Sequence, residues 1–287
     1  MKPSDKLSTD LNRLLKTQDF KNEKEIQDFL SKMVGQTIPE FEPEALSIEE
    51  KAEDMVFEAY KLDPEEGLGN VLEALDMDPD CIPAYEYLGS IQPVSHLAMP
   101  FYAYGIQIGR KKFAKELIED RGHFWGIHET RPFMRCLNNY ASCLVGMGHA
   151  DRTLNIYKEI IELNERDNMG VRNQYGLFLI WAEMYDDYLK LEKQFEYEST
   201  AMPSFNRLLH SYRTKGDSQE TKDLLKKAKA QNKHFIGVLT AKSPPDELPD
   251  SYAIGSKDEA LIYADFAYEA WNEIEGAVEF LIKNKKL

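Results

Sequence analysis

No stretch of this chain approaches the roughly 18–20 consecutive apolar residues that a membrane helix needs. Cysteine is scarce, with only Cys81, Cys136 and Cys143. Three such residues make neither a disulfide framework nor a zinc-type pair, so reduced thiols packed as small hydrophobes are expected. Positive charge is also short: 35 Lys and Arg stand against 50 Asp and Glu, a net of −15. That disfavours general binding to nucleic acid or an anionic membrane, since both reward cationic side chains. No glycine-rich phosphate loop, nucleophile elbow or Cys-His signature occurs. No catalytic residue and no cofactor is therefore assigned, and the chain is not expected to be an enzyme. Met1 to Phe20 is polar and lacks the apolar core of a secretory signal, so a cytoplasmic location is expected.

What the chain does contain is a repeat. Between Phe133 and Lys233 it aligns on itself without gaps at a shift of 34 residues, with units starting at Met134, Asn168 and Met202. Leu137, Val171 and Phe205 share position four, Ala141, Tyr175 and Leu209 position eight, and Leu144, Phe178 and Tyr212 position eleven. Spacings of three and four put these side chains on one face of a first helix. Gly148 and Gly216 mark the turn, with Ala182 in the middle unit. A second helix carries Tyr157, Leu191 and Leu225, then Ile160, Gln194 and Ala228. A 34-residue period with two helices per unit resembles the tetratricopeptide family. One hairpin cannot bury its own apolar face, but stacked neighbours can. The resemblance implies an all-α superhelix, an α-solenoid of helical hairpins with helical caps.

Around the array the chain divides further. Residues 1–45 read as an N-terminal cap of two short helices, Leu7 to Lys16 and Glu23 to Met33, with a linker. Residues 46–115 read as two more hairpins, starting at Ile48 and Ile82. Ser47 with Glu50 is a capping box, and Asp63, Pro64 and Glu66 open the partner helix. Gly89 allows close helix approach. Pro93 and Pro100 interrupt the second hairpin, whose second helix is expected over Phe101 to Phe113. An aromatic insert fills 116–133, its core running from Arg121 to Pro132. His123, Phe124 and Trp125 are expected to wedge inward. Three repeats occupy 134–235. A proline-bearing loop from Lys242 to Gly255 and a Ser256–Glu259 capping box then open a helical cap over 236–287.

Three stretches resemble an uncharacterised group of bacterial tetratricopeptide proteins. They are Gly122-His-Phe-Trp-Gly with Glu129-Thr-Arg-Pro, Asp167-Asn-Met-Gly-Val-Arg172, and Gly255-Ser-Lys-Asp-Glu-Ala through Ala270-Trp and Glu275-Gly-Ala. The last is also similar to the eukaryotic suppressor-of-tumorigenicity family. The resemblance implies a helical repeat fold and supplies no catalytic residue.

One flank of the first helices carries Arg135, Asn138, Asn139, Arg172, Asn173, Asn206, Arg207, His210 and Arg213. In a superhelix this flank is the concave wall. Amides satisfy a peptide backbone and guanidiniums grip carboxylates, so the expected partner is a protein or peptide with an acidic tail. The alternative is a metal-binding or enzymatic protein built around Arg121 to Pro132. His123 and His128, five apart, do not share a helix face, so no metal ligand is assigned. Charge is unevenly spread: residues 35–80 carry a net of −13 and residues 205–233 a net of +5. The stripe Lys222, Lys226, Lys229 and Lys233 reads as a solvated face.

Overall fold

The computed structural model describes residues 3–38, 41, 45–196, 200–241, 248–249 and 251–287. Much of the expected linker over 35–43 is described, but residues 39, 40, 42 and 43 lie outside this set. So do residues 242–247 and 250 of the proline-bearing loop. Among the described residues the protein is all-α, with no strand and one isolated antiparallel bridge between His123 and Asn164. No helix among the described residues is long and apolar enough to cross a membrane. The chain forms two compact units, Met1–Asn168 and Met169–Leu287. The division falls inside the segment 134–235 that the period treats as one array.

In the first unit, α1 (Pro3–Lys16) and α2 (Glu23–Met33) precede three hairpins: α3 (Ile48–Ala59) with α4 (Pro64–Met77), α5 (Ile82–Ser90) with α6 (Ser95–Lys112), and, after a single turn α7 (Glu116–Glu119), α8 (Arg131–Gly146) with α9 (Ala150–Leu163). The first helices α3, α5 and α8 touch in succession. Helices α3 and α5 begin at the expected Ile48 and Ile82. Ser47 and Glu50 make both bonds of the capping box, whereas Asp63 makes no side-chain cap bond. The expected start of α6 at Phe101 is too late. The helix begins at Ser95 and runs through Pro100, which lies inside it and removes one backbone hydrogen bond. Gly89 is tightly placed: a methyl group there would lie 2.5 Å from the Tyr102 ring.

In the second unit, α10 (Arg172–Trp181) pairs with α11 (Tyr185–Gln194), and α12 (Ala201–Lys215) with α13 (Gln219–Gln231). A short α14 (Phe235–Leu239) leads to α15 (Lys257–Glu273) and α16 (Ala277–Lys283). Helix α15 packs on both α10 and α12. The 133–233 segment thus holds six helices, each first helix in contact with the second helix that follows it, as the period predicts. Position four is buried in all three repeats, at Leu137, Val171 and Phe205, and so is position 24, at Tyr157, Leu191 and Leu225. Phe178 departs from expectation and is only half-buried, its ring edge-on to Trp181.

The turns show why the middle unit can dispense with its glycine. After α8, Gly148 takes φ +74° and the His149 N–H closes on the Leu144 carbonyl. After α10 the same closure joins Met184 N–H to Leu179 O, one residue later in the repeat, and Glu183 adopts φ +60°. A left-handed residue with a Cβ costs on the order of 1 kcal/mol. Glu183 offsets part of this by pairing its carboxylate with Arg213 at 2.6 Å.

The insert differs from the expected inward wedge. Of His123, Phe124 and Trp125, only Phe124 is fully buried, edge-on to Phe113 and Phe133. Trp125 is half-buried under the Arg131 guanidinium, and His123 is exposed. Its backbone bridges to Asn164 instead, so the main chain rather than the imidazole ties this loop to the end of α9. The three cysteines are buried thiols. Burial pushes Cys81 up to about 12 and holds Cys136 well above the ordinary thiol range.

Candidate functional site

The flank predicted as a binding wall divides between the two units. In the first, α8 presents Arg135, Asn138 and Asn139. The Arg135 Nε donates to Glu86 Oε1 of α5 at 2.7 Å. Glu86 is the one charged residue on a helix otherwise buried from Ile82 to Gly89 except for the half-buried Tyr85, and it is 4% exposed. Its Oε2 finds no hydrogen-bond donor among the described residues, and neither does the buried Oδ1 of Asn138, one helical turn beyond Arg135. Asn138 and Asn139 are half-buried.

In the second unit the predicted residues are largely committed to the fold. Asn206 is buried, donating to the Asn173 carbonyl at 2.8 Å and accepting from the Tyr263 hydroxyl at 2.6 Å. Tyr263 belongs to α15, so this helix covers the very face on which α10 and α12 were expected to display their amides. Asn173 is buried with it, its Nδ2 3.7 Å from Met202 Sδ. Both amides are therefore interior polar links rather than exposed ligands, and the expectation of a wall at these two positions is corrected. No local pattern around Asn173 or Asn206 signals this cover, because α15 begins more than fifty residues downstream of Asn206.

The guanidiniums are likewise engaged. Arg172 lies over the Phe195 ring at 5.2 Å. Arg207 donates to Glu192, and Arg213 to Glu183 and the Tyr185 hydroxyl. His210 packs against the rings of Tyr185 and Tyr188, with centroids 5.4 and 4.9 Å away. Burial first, and the Lys215 charge second, hold its imidazole below the ordinary value. The folded state therefore resists a proton that the unfolded chain accepts below about pH 6.5. Stability is expected to fall as pH drops through that value, and to fall less in His210→Gln. Denaturation midpoints at about pH 7.5 and 5.5 measure the difference; equal pH dependence in both proteins would remove His210 as its source.

The aromatic insert contributes contacts rather than a cluster of metal ligands. His128 Nε2 shares a 2.7 Å hydrogen bond with Thr9 of α1, and Glu129 receives Lys16 and Asn12 from the same helix. Among the described residues no three His, Cys, Asp or Glu side chains are grouped to hold a metal ion.

Helix α1 is bound most firmly by Arg13, which the sequence reading passed over. This residue is 5% exposed, with Nη1 at 2.8 and 2.9 Å from the two Asp54 oxygens. Nη2 donates to the Glu50 carbonyl at 3.1 Å and approaches Glu53 at 3.4 Å. Nε stands 3.5 Å from Glu50 Oε1, without a hydrogen bond. Burial raises the Glu53 carboxyl, and Arg13 partly offsets this. The signal available in the sequence was an arginine among Leu11, Leu14 and Leu15 on an otherwise amphipathic helix. It has no regular spacing from the distant carboxylates that surround it.

Among the described residues, the fold is that of an all-α protein of paired helices. No family model, curated protein or solved structure matches the chain.

Proposed function

We propose that the protein is a non-catalytic adaptor of the cytoplasm, a tetratricopeptide-like repeat protein that binds an extended protein segment on the first-helix face of its N-terminal unit. The observation that carries this reading is the turn of α8 holding Asn138 and Asn139 beside the Arg135–Glu86 pair. A buried acceptor without a donor costs about 1–3 kcal/mol, and Asn138 Oδ1 is such an acceptor. A flip of its amide turns that oxygen outward, where a peptide N–H satisfies it. The three successive first helices supply a rigid surface, which restricts the ordering cost of binding to the ligand. Since Arg135, Arg207 and Arg213 already meet carboxylates of their own chain, the segment is recognised through its backbone donors more than through an acidic tail. The three buried free thiols fit a reducing compartment.

Peptides selected from a displayed random library on the wild-type protein test this reading. They are expected to bind Asn138→Leu with Asn139→Leu at least about tenfold more weakly, with the melting temperature little changed. Selected peptides that ignore both substitutions and respond to changes elsewhere would place the binding face on another surface.

A further inference from the structure

Helices α6 and α9 both pack on α8, and a groove of about 590 Å³ runs between them on the side away from Asn138. Its floor is apolar, formed by Ala103, Ile106 and Ile156 above the buried Leu144. Its charged lining has one sign, beside the neutral Gln107, Tyr140 and Asn155. Arg110 and Lys111 rise from α6 and Arg152 from α9, and no carboxylate lines the groove among the described residues. Glu159 reaches Arg110 from beyond the rim at 2.8 Å. Arg152 is braced over the Tyr140 ring and donates to its hydroxyl, which holds the guanidinium at the groove mouth. In a chain with a net charge of −15, three cations over an apolar floor make an unusual surface.

The complementary surface lies in the same compact unit. The outward face of α4 carries Glu65, Glu66, Glu73 and Asp76 around Leu72 and Met77, which are 52% and 42% exposed. Spacings of three and four place these residues on one side of the helix. A hairpin's second helix with exposed apolar anchors among carboxylates has the composition of a helix that docks in a groove.

We infer that two copies of this chain associate, with the acidic outer face of α4 from one copy seated in the cationic groove between α6 and α9 of the other. Leu72 and Met77 meet the apolar floor, and Glu73 and Asp76 meet Lys111 and Arg152. A single helix in a groove buries less than the roughly 800 Å² per partner of a stable dimer. The association is therefore weak and depends on concentration.

Sedimentation of the full chain across rising concentration tests this. Wild type is expected to show a weight-average mass climbing above the 33.1 kDa of one chain. Lys111→Glu with Arg152→Glu sets an acidic groove against acidic α4. Glu73→Lys with Asp76→Lys sets a basic α4 against the basic groove. Each double variant is expected to associate at least about tenfold more weakly than wild type. An equimolar mixture of the two pairs each altered surface with its opposite and is expected to recover association. All four side chains are exposed, and recovery in the mixture also shows that both variants are folded. A wild type that stays monomeric overturns the inference and leaves the groove to a different acidic partner. Association that survives in either variant alone, or a mixture that fails to recover it, overturns it as well. Peptide binding at Asn138 is untouched by these variants, so the two readings fail separately.

Discussion

Arg13→Ala is expected to destabilise the N-terminal unit by about 2–4 kcal/mol and to release α1. The reason is what remains after the guanidinium is gone. Asp10, Glu50, Glu53 and Asp54 converge on Arg13, and without it Lys6, on Asp10 and Asp54 at 2.7 Å, and the charges of Lys112 and Arg135 near Glu53 offset them only in part. Removing one member of a fully buried ion pair costs about 3–5 kcal/mol, because the other charge is left without compensation. Here the side chains of the carboxylates are 24–32% exposed, so solvent screens part of the loss. Arg13→Lys should recover only a fraction. An ammonium cannot span both Asp54 oxygens and the Glu50 carbonyl as the planar fork does. Chemical denaturation gives the stability change, and limited proteolysis within residues 3–38 reports the release of α1. A midpoint and a cleavage pattern both equal to wild type would show that the carboxylate cluster is not held by this residue.

Leu225→Ala is expected to cost about 2–5 kcal/mol, the range for truncating a core leucine with a residual cavity. Leu225 is fully buried on α13, at the repeat position that Tyr157 and Leu191 fill in the two preceding pairs. Three residues later, Gln194 of α11 stands exposed where Ile160 of α9 and Ala228 of α13 are buried. Gln194→Ala should accordingly shift the denaturation midpoint very little. The contrast separates a position that is buried in every pair from one that is exposed in the middle pair. Equal effects at the two sites would mean that the 34-residue register does not describe the packing.

The commitments of the predicted wall have a common physical origin. Side chains on the outward flank of α10 and α12 are polar in sequence, and polarity in a helix flank is compatible with water, a ligand or another part of the same chain. At Asn206 the third possibility applies. The Tyr263 hydroxyl supplies a donor to the amide oxygen, the Asn173 carbonyl accepts from its nitrogen, and the Tyr263 ring packs on Phe235, which packs on Phe205. On α8 the corresponding face carries a residual acceptor and half-buried amides instead. This difference moves the proposed binding face to the N-terminal unit.

By itself the sequence determined the elements that depend on near neighbours. Helix starts at Ile48, Ile82 and Lys257, the capping bonds of Ser47 and Ser256, and the paired helices from 133 to 233 follow from side chains within one or two turns. The buried stripes followed too, because a period of three and four residues selects one helix face whatever lies opposite it. Tertiary structure alone decided which polar residues face solvent and which face protein. Arg13 meets carboxylates some forty residues away, Glu86 meets Arg135 across 49 residues, and Asn206 meets Tyr263 across 57. It also decided that the groove between α6 and α9 brings Lys111 and Arg152 together over an apolar floor. A polar side chain has no periodic signature that names its partner. Its meaning is set by whichever distant element the packing of the apolar faces carries to it.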